Sequence, residues 1–240
     1  MVVPQAGEIL ECTYRTIVSG ELVDVENVLL YNVGLSCAAA KGMNGVRFAR
    51  VDEPIPRPPR AFEAHHYATY AVVAADTDPP GRARAAALVT WAGAAWPTGG
   101  APTVGRLWRA IREAKPVVRR LDLPADAVFA IRADVPVRVN PVHVMKPLLD
   151  AIVSAFHTDV RPTTQALLDL VAAQAGLDAR RVGEMLRDER FNVIGSRKVV
   201  DLYRGGVKWN PADERCVAAE VVPRTDDWPI FGGELHALSG

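Results

Sequence analysis

The chain has 240 residues, 49 % hydrophobic and 23 % charged, which is the composition of a globular protein long enough to bury a core unaided. Its 28 basic residues balance 28 acidic ones, so it lacks the one-sided charge that marks general binders of nucleic acid or membrane surfaces. Cys12, Cys37 and Cys216 have neither zinc spacing nor the even count of a disulfide framework, "MVVPQAGEIL" lacks a signal-peptide core, and no run approaches the roughly 18 apolar residues of a membrane span. The expectation is a cytoplasmic protein with reduced thiols and no membrane partner.

In chain order, "ILECTYRTIV" (9–18) reads as a strand rich in β-branched and aromatic residues, ending at Ser19-Gly20. "VENVLLYNVG" (25–34) fits a buried strand or a short helix equally well. "GVRFARV" (45–51) alternates as a strand, and the prolines of "DEPIPRPPR" (52–60) break any ladder. "HHYATYAVVAA" (65–75) and "AAALVTWAGAAW" (85–96) are further strands, separated by the loop "DTDPPGR". His65 and His66, adjacent in a strand, point to opposite faces and cannot share a metal.

"TVGRLWRAIREAKP" predicts a helix. Val104, Leu107, Trp108 and Ile111 fall at i, i+3, i+4, i+7, Thr103 caps the start and Pro116 ends it. Its other side carries Arg106, Arg109, Arg112 and Lys115, the most basic surface in the chain and the candidate phosphate contact. A strand "VFAIRADVPVRV" (128–139) leads into "NPVHVMKPLLDAIVSAFH" (140–157), a helix expected to begin near His143 to Met145, because Pro147 is tolerated only in a first turn. "TTQALLDLVAAQAG" and "DARRVGEMLRDE" predict a helix pair, capped by Thr and Asp178 and separated at Gly176. "KVVDLY" (198–203), a turn region (204–215) and the strand "CVAAEVV" (216–222) follow, and the tail from Pro223, with Asp226 and Asp227, reads as irregular.

The pattern is α+β: a mixed sheet with N-terminal strands, a central core helix (about 143–157), an inserted helix pair (164–188) and a closing C-terminal strand pair. It divides into a strand-rich part with one basic helix (1–125) and an α+β core (126–240), or forms one continuous domain.

The central helix poses the functional question. Met145, Leu148, Leu149, Ile152 and Phe156, with Val153 at the edge, share one side. His143, Lys146, Asp150, Ser154 and His157 share a sector of roughly 80° opposite. Two histidines, a carboxylate and an amine on one strip are groups that ligate metals or move protons. His143 and His157 lie about 21 Å apart along the axis and cannot serve one metal. The local sets are Lys146 with Asp150, and Asp150 with Ser154 and His157.

Two stretches together, "AIRADVPVRVNPVHVMKPLLDAI" and "GVKWNPADERCVAAEVV", resemble the RusA-type Holliday junction resolvases. Members of that family have a strand leading into a helix that opens Asp-x-Asp-Asn-x-x-Lys. A later strand pair carries a Trp and an acidic pair. Lys146 falls on the motif lysine and Asp213 on the later acid. Asn140 and Val142 stand where the leading aspartates belong, and His143 stands for the asparagine. The resemblance implies a shared cleft for Asn140, Lys146, Asp150, Asp213 and Glu214, with Trp209 as a wall, and DNA or another phosphate-bearing ligand as partner. It also implies Mg²⁺, which requires clustered oxygen ligands. Without the leading acids, metal-dependent phosphodiester hydrolysis has no anchor.

Three functions follow as expectations. The first is a nucleic-acid-associated protein with a degenerate RusA-like core. The second is an enzyme on a small molecule using Asp150, His157 or Asp213 as acid–base groups. The third is a non-catalytic interaction module, to which the loop 52–60 points. No Walker loop, dinucleotide fingerprint, His-Glu-x-x-His or Gly-x-Ser-x-Gly is present.

Overall fold

The computed structural model describes residues 4–16, 42–51, 66–75, 77, 84–121, 123–124, 127–160, 163–225 and 229–238. The ambiguous segment 25–34, Cys37, the proline-rich loop 52–60 and His65 lie outside the described residues.

Among these residues the fold is α+β. Eight strands form one mixed sheet: β1 (Glu8–Thr16), β2 (Val46–Arg50), β3 (His66–Ala74), β4 (Arg84–Ala95), β5 (Val117–Val118), β6 (Phe129–Pro136), β11 (Cys216–Thr225) and β12 (Ile230–Leu238). Their order is β3-β1-β2-β11-β6-β12-β4-β5. Strands from either side of residue 125 therefore interleave. β6 runs parallel to β11 and antiparallel to β12. Short pairs lie outside this sheet: β7 (Thr158–Asp159) with β8 (Ser196–Arg197), and β9 (Val200–Tyr203) with β10 (Gly206–Trp209). The β9–β10 hairpin turns on Arg204 and Gly205, both at positive φ, the geometry of a two-residue loop matched to strand twist.

One sheet face carries the core. Cys12, Tyr14, Val46, Phe48, Ile131, Ala133, Val221 and Leu235 pack there with the helices α1 (Val104–Glu113), α2 (Pro141–Ala155), α3 (Gln165–Ala175) and α4 (Ala179–Leu186). Caps fix the helix starts as expected: Thr103, Thr164 and Asp178 accept from backbone N–H groups three residues on. Gly176 closes α3 in the left-handed conformation, φ +66°. Cys12 and Cys216 are buried, and burial pushes the Cys12 thiol up to about 11, far from reactive thiolate character.

Three expectations are corrected. α2 begins at Pro141, not near His143 to Met145, so Pro147 lies inside the helix. Asn140 accepts from the Val142 N–H at 3.0 Å and Pro141 starts the helix. That start, with burial of most of the helix, outweighs the one bond to the His143 carbonyl that Pro147 removes. The region 204–215 is not all turn, since β10 pairs with β9 across it.

The third correction is the tail. It is not irregular: β11 reaches Thr225, and β12 inserts between β6 and β4. The Gly232-Gly233 pair breaks the alternation by which a strand is recognised. It is needed because a Cβ on Gly233 would meet the Arg132 carbonyl oxygen and the Trp91 ring. Gly233→Ala is expected to cost about 1–3 kcal/mol by overpacking, measured as a lower urea midpoint at unchanged m-value. A neutral substitution there would mean that the strands are not so closely apposed.

The opposite sheet face carries a row of alternating charges. Glu11, Arg47, Glu220, Arg132 and Glu234 are successive cross-strand neighbours over β1, β2, β11, β6 and β12. Arg47 is 1 % exposed and sits 2.7 Å from Glu11 and 3.3 Å from Glu220. Beside this row, Ala49, Ala130, Val217, Ala218 and Leu238 form a small second apolar cluster.

Candidate functional site

The site begins where β6 hands over to α2. The polar strip on α2 is wet only in its first half. His143 is exposed, and Lys146 and Asp150 are half-buried, whereas Ser154 and His157 are buried. The strip runs from the surface into the interior because the far end of α2 is overlaid. Val193 and Ile194 both donate to the Phe156 carbonyl, and β7 pairs with β8 immediately after His157.

Lys146 and Asp213 meet, though 67 positions separate them. The Lys146 ammonium lies 3.0 Å from Asp150 Oδ1 and 3.2 Å from Asp213 Oδ2. Asp213 opens the 3₁₀ turn Asp213–Arg215 just before β11, and its other oxygen accepts from the Glu214 N–H at 3.1 Å. The turn therefore aims one carboxylate at the helix while bracing it locally. Lys146 is flanked by two acids, so the trio carries one net negative charge.

The other expected members take different places. Asn140 caps α2, and Val142 is 2 % exposed, part of the core. The position where the RusA-type pattern has its second acid is thus an interior position. Trp209 takes a packing place: its Nε1 donates to Gln174 Oε1 at 2.9 Å and its ring lies 5.6 Å from that of Trp108. It pins the β9–β10 hairpin to α3 and α1.

Glu214 pairs with Arg197 at 3.2 Å on a cleft of about 660 Å³, whose wall also includes His157, Asn192, Ser196 and Arg215. His157 Nδ1 donates to the Gly195 carbonyl at 2.8 Å, and among the described residues Nε2 has no hydrogen-bond partner. Burial, reinforced by Arg197, Arg215 and Arg112, pushes the His157 pKa down to about 4. The ring is neutral at physiological pH, with its Nε2 lone pair free. Arg197 and Arg215 were invisible in the sequence, where they sit in segments of no helical or strand period.

The basic side of α1 does not form a continuous wet face. Arg106 is exposed, but Arg109 pairs with Glu113 at 3.0 Å and donates to the Gly176 carbonyl at 2.8 Å. Arg112 turns inward and is 4 % exposed. Lys115 is exposed just past the helix end. The helix spacing places Arg112 at the edge of the apolar stripe, and the contacts with Trp108 and Phe191 draw it in.

The donor set does not suit the magnesium that the RusA-type pattern implies. Val142 offers no oxygen, Asn140 spends its carbonyl oxygen on the helix cap, and the Lys146 ammonium already sits between Asp150 and Asp213. Among the described residues no three His, Cys, Asp or Glu side chains form a metal-holding group, and no helix is long and apolar enough to cross a membrane. No family model, no curated protein and no solved structure matches this chain.

Proposed function

We propose that the protein is a nucleic-acid-associated factor with a RusA-like core that has given up metal-dependent strand cleavage. The observation that carries this reading is the Lys146–Asp213 contact. It joins the two residues that coincide with the family's motif lysine and its later acid, across two inserted helices. The loss of cleavage rests on Val142, an apolar core residue at a position where a ligand oxygen would be required. Binding to phosphates would draw on dispersed exposed cations such as Arg106 and Lys115, so it would be weak and steeply dependent on salt.

Filter binding of a four-way junction and a linear duplex at low salt tests this. The expected result is retention of the junction, no cleavage product with Mg²⁺ or Mn²⁺, and about 3–10-fold weaker retention for Lys146→Met. No retention at micromolar protein would end the reading, and metal-dependent cleavage would overturn its second half.

A second reading, an acid–base enzyme on a small molecule, is favoured by the His157 cleft. Its imidazole helps line that cleft with Arg197, Glu214 and Arg215, the Nε2 buried and, among the described residues, unpartnered. Melting shifts across a metabolite panel that vanish in His157→Asn would support it, and a flat panel would count against it.

A further inference from the structure

Among the described residues, Arg112 is a buried cation with no ion-pair partner. Its Nη2 donates to the His157 carbonyl at 2.9 Å, and its guanidinium carbon lies 4.4 Å from the Phe191 ring centre and 5.9 Å from that of Trp108. Among the described residues, its Nε and Nη1 have no hydrogen-bond partner. Asp188, whose charge Arg112 feels, spends both oxygens on Arg190, with the shorter contact at 2.6 Å. The ring contacts cover the guanidinium faces and leave its in-plane donors unanswered. Removing a guanidinium from water without a matched acceptor is among the costliest choices a fold can make. Burial draws the Arg112 pKa down to about 9, so the group stays charged at neutral pH.

The residue forms part of the wall of a cleft of about 790 Å³ between the end of α1, α4 and the 3₁₀ turn Glu189–Phe191. Lys115 stands on the same cleft with φ +52°, a left-handed backbone in which glycine or asparagine would be relaxed and lysine is strained. Among the described residues its ammonium has no ion-pair partner. The other charged groups of the wall are matched: Arg181 with Glu184, Arg190 with Asp188, and Glu113 with Arg109. The carbonyl end of α1 favours a cation nearby, yet it supplies no acceptor to Arg112 Nε or Nη1.

We propose that this cleft is an oxyanion site that takes a phosphate group, from a small phosphorylated ligand or from a nucleic-acid backbone, between Arg112 and Lys115. Two observations of different kinds converge on it: a buried guanidinium with two donors unanswered among the described residues, and a lysine kept at a strained position on the same cleft. The site does not depend on the Lys146–Asp213 centre or on the nucleic-acid reading.

Titration of the full chain with inorganic phosphate, against chloride at matched ionic strength, tests the proposal. Phosphate at about five times its dissociation constant should raise Tm by roughly 2–4 °C, and chloride should not. Lys115→Gly relieves the strained backbone, so it should melt no lower than the parent while binding phosphate about tenfold more weakly. Arg112→Met should lose the phosphate response; should that variant fail to fold, Lys115→Gly carries the test alone. Equal shifts from phosphate and chloride, or undiminished phosphate affinity in Lys115→Gly, would overturn the site. Anisotropy with labelled duplex separates the sources. A parallel loss of DNA affinity in Lys115→Gly points to backbone phosphate. DNA binding that is unchanged or absent, with phosphate binding lost in the variant, points to a small ligand.

Discussion

Replacing Arg47 with methionine should destabilise the protein by about 3–5 kcal/mol, the usual consequence of removing one partner from a buried ion network. Arg47 holds Glu11 through Nε at 2.8 Å and Glu220 through Nη1 at 3.3 Å, and its Nη2 donates to Thr77 Oγ1 at 3.0 Å. Without it, two carboxylates remain on the strands either side of β2, one 8 % and one 2 % exposed, with their principal cation gone. The loss would come from those stranded charges rather than from the net worth of the pairing. A triple variant that also carries Glu11→Leu and Glu220→Leu should therefore recover most of the stability. Urea melts of the single and triple variants check this. A loss below about 1 kcal/mol in the single variant would show that water reaches the row freely.

Acid should weaken the fold through His157 by about 3 kcal/mol between pH 6.5 and pH 4. In the unfolded chain the imidazole takes a proton at its ordinary 6.5, whereas in the fold it refuses one until about 4, because it is buried and faces Arg197, Arg215 and Arg112. The unfolded state then binds more protons across that window, so stability rises with pH. The contribution is complete above 6.5 and is lost as pH falls through 4. His157→Asn can still donate to the Gly195 carbonyl and does not titrate. Its stability should fall less steeply over this range, as read from urea midpoints at pH 7.0, 5.5 and 4.5. Superimposable pH curves for parent and variant would show that the ring is protonated in the fold without penalty.

What could be read in advance depended on how local each signal was. The cap residues Thr103, Thr164 and Asp178, with the stripe of Leu107, Trp108 and Ile111, determine helices within a dozen residues, and α1, α3 and α4 follow from them. Pro147 misled because its rule concerns one hydrogen bond, while the burial of Leu148, Leu149 and Ile152 outweighs that bond. The charge row was not legible, because Glu11, Arg47, Arg132 and Glu220 share their strands with other charges such as Arg50 and Asp134. Their pairing needs a strand order that no local pattern supplies. The Lys146–Asp213 contact came from the order of two short motifs, which carries long-range information that periodicity lacks. The polar strip failed in its second half because the cover over Ser154 and His157 comes from residues 193–197, remote in sequence.

The strand order also determines when this sheet can exist. β11 and β12, the last described strands to leave the ribosome, flank β6 and separate it from β2 and β4. Until they emerge, β6 has no neighbour on either side, and β2 and β4 each present an unpaired inner edge open to other chains. At some 5–20 residues per second, the stretch from the end of β6 at Pro136 to the end of β12 at Leu238 keeps those edges open for about 5–20 seconds. Nascent chains should therefore need a holding chaperone until β12 has emerged, and a stop codon ahead of residue 216 should yield insoluble product rather than a smaller folded unit.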